Sequence, residues 1–234
     1  MRSNLLCYLG AAGFALAATP AAAAIQHAPV AGGAEGIYVT GEILEPDQAA
    51  FEALTRRYPK AVLYLDSPGG SLLPAIEIGK LVRAKHYSTV VLDQGNCYSA
   101  CALIWLAGTP RHLAATGKIG FHASYSQEGG RLVETGVGNA IVGHYLSQLG
   151  LSEKAVIFAT TASPRELMWL TAENSAEAGI TYQANLTGVP APDIELLPSR
   201  AVLQKARVAA NSPQPGKGPD PNKLDRKNSL PPKP

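Results

Sequence analysis

Three short segments between positions 62 and 125 of this 234-residue sequence carry the residue types that covalent hydrolysis needs. In the first, residues 66–70 read Asp-Ser-Pro-Gly-Gly and follow an apolar run. In the second, Ser99 opens a stretch of eight uncharged residues, and in the third, His122 ends a strand-like run. A serine hydrolase combines backbone N–H donors, a hydroxyl nucleophile and a base. The pattern predicts that Ser99 is a nucleophile and His122 its general base.

Each segment also has an ordinary structural interpretation. Ser-Pro-Gly-Gly is a common turn sequence, a serine before a helix is often an N-cap, and single histidines are often structural. The catalytic interpretation of Ser99 is favoured by Gly95 four residues earlier and by the apolar helix that would hold the serine rigidly. Two adjacent glycines would let the backbone of residues 69 and 70 approach a ligand and direct an N–H group at it.

Two cysteines, Cys97 and Cys101, flank Ser99. In an exported protein such a pair suggests a disulfide. Residues four apart on a helix have Cα atoms about 6 Å apart, which lies near the wide end of disulfide geometry. Two buried thiols that act as small apolar side chains explain the pair equally well. The sequence leaves both interpretations open.

Other classes of site are not predicted. The remaining histidines have no metal-ligand spacing and no acidic cluster beside them, so neither a metal nor a cofactor is expected. The formal net charge is +2, and basic residues are not interleaved with aromatic residues, so nucleic acid is not an expected partner.

Both ends of the chain differ from a globular core. Residues 1–24 have a basic start, an apolar run and an alanine-rich end, which is typical of a secretory signal peptide. Residues 191–234 are rich in proline and lysine and have few large apolar side chains, which predicts a mostly disordered tail with a short helix at 194–210. One domain is therefore expected at residues 32–190. We expect the mature protein to be periplasmic or secreted and to meet the membrane only through its signal peptide.

The hydrophobic pattern between these ends alternates strands and helices. Strands are predicted at residues 37–43, 61–65, 89–92, 111–114, 118–122 and 168–171. Helices are predicted at residues 46–58, 71–85, 99–107, 138–149, 152–159 and 172–178, with a mobile loop at 127–130. Such alternation predicts an α/β fold with a largely parallel sheet and flanking helices.

The three segments, in this order, resemble the motifs of the ClpP-like serine peptidases in the ClpP/crotonase superfamily. That family has a strand followed by Asn-Ser-Pro-Gly-Gly, then Gly-x-Ala-Ala-Ser opening an apolar helix, then a histidine at a strand end. Here Asp66 replaces the asparagine, and the interval from Gly70 to Ser99 is kept without a gap. Near the end, residues 169–172 and 177–180 resemble the family's Phe-Leu-Ser-Ala and Tyr-Gly-Leu segments, so the resemblance covers about residues 37–182.

The resemblance implies a ClpP/crotonase-like fold with ββα-type units, and it implies site residues. Ser99 would be the nucleophile, His122 the general base, and the N–H groups of Gly70 and Ala100 the oxyanion hole. The family's aspartate corresponds to Leu167, so the orienting acid would be the neighbouring Glu166. Lys154 is the alternative base, by resemblance to the serine–lysine dyad of signal peptide peptidase A.

The resulting prediction is an exported serine peptidase that hydrolyses peptides or unfolded proteins through an acyl-enzyme. Family members form rings fed by an ATPase. An exported chain has no ATP supply, so no ATPase partner is expected, whereas a homo-oligomer in contact through residues 138–159 remains open. One alternative is a catalytically silent peptide-binding domain on the same fold. Two others are a Ser/Lys-dyad protease and a crotonase-type acyl-CoA enzyme, although an exported location argues against CoA.

Overall fold

The computed structural model describes residues 24–192. It contains ten strands: β1 Ala24–Val30, β2 Ala34–Ile43, β3 Val62–Gly70, β4 Ser88–Val91, β5 Asn96–Tyr98, β6 Arg111–Leu113, β7 Lys118–Phe121, β8 Tyr125–Glu128, β9 Arg131–Glu134 and β10 Met168–Leu170. Five α-helices lie between them: α1 Glu45–Arg57, α2 Leu72–Ala84, α3 Ala100–Leu106, α4 Gly136–Gln148 and α5 Glu153–Thr161. None of the helices in this part of the chain is long and apolar enough to cross a bilayer.

Eight of the strands form one mixed sheet in the order β1-β2-β3-β5-β7-β10, with β4 on β3 and β6 on β4. The pairs β2–β3, β3–β4, β4–β6, β3–β5 and β5–β7 are parallel. The two outer pairs, β1–β2 and β7–β10, are antiparallel. The mainly parallel sheet with flanking helices confirms the predicted α/β fold class.

The short helix α3 lies at the centre of the core. All of its seven residues are buried, as expected for a helix that is apolar on every side. Its Trp105 indole N–H donates to the backbone oxygen of His112 at 3.0 Å, and Tyr145 on α4 donates its hydroxyl to the Leu103 oxygen at 3.1 Å. Sheet and helices therefore fix the position of α3 and of the residue before it, Ser99.

The structure corrects several expectations about the elements. The sheet begins at Ala24, before the predicted domain boundary at Gly32, because β1 pairs with β2 along its whole length. Residues 66–70 do not break the third strand: β3 runs through them, with an irregular register opposite Gly41. The loop predicted at residues 127–130 is a hairpin of β8 and β9 around Gly129 and Gly130.

Residues 172–178 form turns and not the predicted helix. Asn174 N donates to Thr171 Oγ1 at 3.3 Å, and Thr171 N donates to Asn174 Oδ1 at 2.8 Å. This reciprocal pair is the capping-box pattern that starts a helix, and Ser175 N and Ala178 N donate to the oxygens of Thr171 and Asn174. The segment makes turns that do not extend into a helix before Gly179, whose φ is 65°. The predictions for residues 1–23 and for the tail beyond Pro192, including the helix at 194–210, lie outside the described residues. Of the tail, Ala191 accepts a backbone hydrogen bond from Ala31 at 3.1 Å.

Candidate active site

Ser99 lies on the sharp connection between β5 and α3. Its backbone has φ 58° and ψ −128°, a conformation that L-residues other than glycine rarely adopt. Such a residue costs about 1–3 kcal/mol and persists where its surroundings impose it. Ser99 N donates to the Gly120 oxygen at 2.9 Å, whereas the Ser99 side chain makes no capping bond to α3. The N-cap interpretation therefore does not account for this serine.

The two cysteines beside Ser99 are joined. Cys97 on β5 and Cys101 on α3 form a disulfide with Cα atoms 5.2 Å apart, and both residues are fully buried. This settles the choice that the sequence left open between a bridge and two free thiols. The disulfide spans the turn that carries Ser99.

The glycine pair at the end of β3 lies directly against this turn. Gly69 has φ 91°, and a Cβ atom placed on it would lie 2.7 Å from Ala100 N and 2.8 Å from Ser99 Cβ. Gly69 N already donates to Ser67 Oγ at 3.1 Å, inside the strand end. Glycine at position 69 thus serves close packing and its N–H group is occupied, which leaves Gly70 as the candidate donor to a ligand.

The predicted oxyanion-hole residues both border the space in front of Ser99. Gly70 and Ala100 line one cavity together with Ser99. Ala100 is the first residue of α3, and the first N–H groups of a helix have no partner within the helix. The two N–H groups are therefore carried by two different elements, β3 and α3, that meet at the serine.

His122 directly follows β7 and is half-buried. Its Nδ1 lies 2.8 Å from the backbone oxygen of Ala123. A carbonyl oxygen only accepts, so Nδ1 carries the hydrogen, and Nε2 of the neutral ring carries the free lone pair. The ring also lies beside that of Tyr125, with centroids 5.5 Å apart.

Two cavities meet at Ser99 and His122, and Glu42, Gly70 and Tyr125 line both of them. The first, which we call the aromatic cavity, has a volume of about 470 Å³. Besides the shared residues it is lined by Pro68, Gly69, Tyr98, Pro164, Arg165, Glu166, Leu167 and Trp169.

The second cavity, which we call the apolar cavity, has a volume of about 250 Å³. Besides the shared residues it is lined by Ser71, Leu72, Ala100, Leu103, Phe121, Ser124, Val142 and Ala159. The candidate nucleophile and base therefore lie where a polar, partly aromatic space joins a smaller space with several apolar walls.

Sequence reasoning missed Glu42, Tyr98, Tyr125 and Trp169. Glu42 stands near the carboxyl end of β2, where parallel sheets commonly bind ligands, and this position was the available signal. Tyr98 and Trp169 form an edge-to-face pair with centroids 6.2 Å apart. Burial, and secondarily the charge of Asp66, raise the pKa of the Tyr98 hydroxyl above its ordinary value. Tyr98 is therefore a neutral wall of the aromatic cavity at physiological pH.

Neither the predicted orienting acid, Glu166, nor the alternative base, Lys154, contacts the catalytic candidates through a hydrogen bond. Glu166 lines the aromatic cavity but is exposed and accepts a hydrogen bond from Ser163 Oγ at 3.1 Å, and not from His122. Lys154 is exposed on α5 and borders neither cavity. Within residues 24–192, no group of three or more histidine, cysteine or acidic side chains could hold a metal ion.

No family model matches this sequence, and no curated protein matches it. Among solved structures, it is similar to a serine-to-alanine mutant of the 1510-N membrane-bound stomatin-specific protease. The two are 15% identical over 63% of this chain and 77% of that chain, with a TM-score of 0.50. A mutant of ClpP1 from Listeria monocytogenes is 14% identical over 65% of this chain and 93% of its own, with a TM-score of 0.47.

The ClpP protease catalytic domain from Plasmodium falciparum is 19% identical over 66% of this chain and 87% of its own, with a TM-score of 0.47. At these identities the likeness concerns the fold. The mainly parallel sheet, its flanking helices and the similarity to the stomatin-specific protease agree with the fold that the three sequence motifs predicted. The chain therefore has a ClpP-like fold.

Proposed function

We propose that this protein is a serine peptidase in which Ser99 is the nucleophile and His122 the general base. The observation that carries the proposal is the conformation of Ser99. A serine at φ 58° that does not cap its helix, and that opens into two cavities shared with a histidine, has no structural role that explains its backbone. Strained backbone of this kind is found at functional sites.

In the proposed reaction Ser99 Oγ attacks the carbonyl carbon of a peptide, and Nε2 of His122 takes the hydroxyl proton. The N–H groups of Gly70 and Ala100 donate hydrogen bonds to the oxyanion that forms. His122 then gives its proton to the leaving amine, and water releases the acyl group from Ser99 by the same steps in reverse. Fixed N–H donors of this kind typically contribute about 10²–10³ in rate each.

The proposal gives the orienting role to the carbonyl oxygen of Ala123 in place of Glu166, and it keeps His122 as the base in place of Lys154. The Nδ1–H bond to that oxygen selects the tautomer whose Nε2 accepts a proton. A carbonyl group carries no net charge, so it stabilises the imidazolium less than a carboxylate does. We therefore expect a slower enzyme than one with an aspartate triad.

The substrates that we propose are peptides or unfolded proteins, met after export to the periplasm or the cell exterior. The signal-like residues 1–24 support export, and a disulfide is typical of oxidising compartments. We also propose that the protein forms a homo-oligomer through helices α4 and α5. Each of these helices has an exposed apolar side chain: Val137 on α4 is 73% exposed and Ile157 on α5 is 56% exposed. Light scattering on the purified chain tests this point.

One observation favours a second candidate, a silent peptide-binding domain. Within the described residues, no hydrogen bond joins Ser99 to His122, and no carboxylate bonds to His122. The same cavities could then hold a peptide without cleaving it. Free enzymes often show long catalytic contacts that tighten only when substrate binds, so a serine peptidase can also lack a Ser99–His122 hydrogen bond in its free state.

The experiment is labelling of purified protein with a fluorophosphonate probe, which reacts with activated serines. We expect labelling of the wild type and its loss in Ser99→Ala and His122→Ala. Matched controls are Ser126→Ala on β8, at a half-buried residue, and His144→Ala on α4, at an exposed one, and neither residue borders either cavity. A folded wild type that is not labelled would favour the silent domain.

A further inference from the structure

We propose that the Cys97–Cys101 disulfide is a positioning element for the nucleophile, holding Ser99 in its reactive backbone conformation. The inference rests on the proposed function of Ser99 and concerns how that residue is held. Three observations carry it: the position of the bridge around the serine, the conformation that the serine must keep, and the burial of both sulfur-bearing residues.

The bridge encloses Ser99 symmetrically. Cys97 precedes the serine by two residues and Cys101 follows it by two, so the closed loop contains only Tyr98, Ser99 and Ala100. A crosslink between residues so close in sequence restricts the unfolded chain little, compared with one that closes a long loop. Its main effect is therefore local, on the geometry of this turn.

The turn itself has the form of a nucleophile elbow. In such elbows a serine stands on a strained strand-to-helix connection, with glycine two residues before and two residues after it. Here the strand β5 and the helix α3 meet in the same way, and the cysteines occupy both glycine positions. Their Cα atoms are 5.2 Å apart, within the range that a disulfide spans. Glycines at these two positions would let the strand and the helix come close together, and here the disulfide holds them together covalently.

Other contacts also act on Ser99. Its N–H group bonds to the Gly120 oxygen at 2.9 Å, and Gly69 packs against its Cβ side. Its carbonyl oxygen accepts from Ala102 N at 3.0 Å, so the first turn of α3 also restrains ψ. The disulfide ties the residue that enters the turn to the helix that leaves it, and so restrains both dihedral angles of Ser99.

The bridge is a permanent brace and not a redox switch. Cys97 and Cys101 are each 0% exposed, and exchange with an external thiol requires access of a thiolate to a sulfur. The protein therefore keeps the bridge in its folded state under mildly reducing conditions.

The test compares the wild type with the double variant Cys97→Ala/Cys101→Ala at a temperature where both are folded by near-ultraviolet circular dichroism. We expect the rate constant of fluorophosphonate labelling at saturating probe to fall about 10- to 100-fold, as misplacement of a reacting group does. The probe concentration for half-maximal rate should stay within about twofold, since the cavity walls are unchanged. Val82→Ala, a buried truncation on α2, is the matched control for general loosening and should label like the wild type.

A second readout is independent of activity. Hydrogen exchange of the Ser99 amide, which is bonded to Gly120, should quicken about tenfold or more in the double variant, while the amide of Ile78 within α2 keeps its rate. Wild-type labelling and wild-type exchange at Ser99 in the double variant would overturn the inference. If the wild type does not label at all, the proposed function fails, and the exchange rates alone decide whether the bridge braces the turn.

If the double variant does not fold, the wild type is unfolded in urea, reduced with a water-soluble phosphine and refolded before labelling, because the buried sulfur atoms are not accessible in the folded protein. The phosphine supplies two electrons and becomes its oxide with oxygen from water, and each bridge takes up two protons to give two thiols. Thiol titration measures the reduced fraction. Slower labelling in proportion to that fraction supports the brace, and full labelling by fully reduced, folded protein overturns it.

Discussion

The Nδ1 hydrogen of His122 is donated to the backbone oxygen of Ala123, 2.8 Å away. The proposed general base is thus oriented by its own neighbour in the chain, and no acidic side chain among residues 24–192 bonds to it. This relationship fixes the tautomer that proton abstraction requires, and it supplies no negative charge for the imidazolium.

Glu166→Gln should leave fluorophosphonate labelling within about threefold of wild type, because the side chain is exposed and bonds to Ser163, and such surface changes rarely exceed about 0.5 kcal/mol. His122→Ala should lose about 10²–10⁴ in labelling rate. Labelling rates of the two variants at equal pH check both statements. A loss of two orders of magnitude in Glu166→Gln would make that carboxylate the orienting group after all.

Gly69→Ala should abolish most labelling, by about 100-fold, because the added methyl group would lie 2.7 Å from both Ala100 N and Tyr98 O and would displace the serine turn. Gly129→Ala is the matched control. It also has a positive φ, of 55°, but nothing lies within 4 Å of the added atom. We expect it to lose about 1 kcal/mol of stability and to keep its labelling rate. Equal labelling by the two variants would contradict the packing argument.

The sequence predicted the parts of this fold that depend on composition. An entirely apolar stretch at residues 100–107 indicated a buried helix, and alternation of strands and helices indicated the parallel sheet. Four strands escaped prediction: β1, β5 and the hairpin strands β8 and β9. The three-residue β5 is too short to show periodicity, and β1 contains a proline, tolerated because the strand lies at the sheet edge.

The sequence predicted only those residues of the candidate site whose type suggests chemistry. Ser99 and His122 line the same cavities, as the motifs predicted. The partner of His122 was not predictable, because a bond from a side chain to the next backbone oxygen depends on local dihedral angles and leaves no mark in the sequence. Glu42 escaped because its place in the site arises from the pairing of β2 with β3, across residues distant in sequence.

Ala159→Leu should change which peptides are cleaved. Ala159 is buried in the wall of the apolar cavity of about 250 Å³, so a larger side chain there would fill space that an apolar substrate side chain occupies. Cleavage after leucine or phenylalanine should fall about tenfold relative to cleavage after alanine, a difference typical of overpacking by a few methylene groups. Rates on a fluorogenic peptide series test this. Ile157→Ala, exposed on the same helix, is the control, and an equal fall for every peptide would contradict the assignment.

Tyr64→Phe should change how the free energy of unfolding depends on pH above pH 10. Burial raises the pKa of the Tyr64 hydroxyl to about 12 from 10.0, and the hydroxyl donates to the Pro190 oxygen at 2.6 Å. The folded state therefore holds this proton while the unfolded state loses it, so stability is complete below pH 10 and falls as pH rises from 10 to about 12, by about 2–3 kcal/mol.

The phenylalanine variant lacks this loss. We expect it to be about 1 kcal/mol less stable than wild type at pH 8, because a hydrogen bond is missing. The two stability curves should cross between pH 10 and 12, and the variant should be about 1–2 kcal/mol more stable than wild type at pH 12. Urea unfolding at a series of pH values measures both curves, with Tyr125→Phe as a control at an exposed tyrosine. Parallel curves for the wild type and Tyr64→Phe would contradict the prediction that the pKa of the Tyr64 hydroxyl is higher in the folded state than in the unfolded state.

Mapping the covalent adduct tests the proposal that Ser99 is an activated nucleophile. Folded wild-type protein is treated with a fluorophosphonate, its intact mass is measured, and the tryptic peptide of residues 86–111 is sequenced by fragmentation. We expect one adduct per chain, on Ser99, and none after prior denaturation. An adduct on another residue, a spread over several serines, or unmodified protein would contradict it.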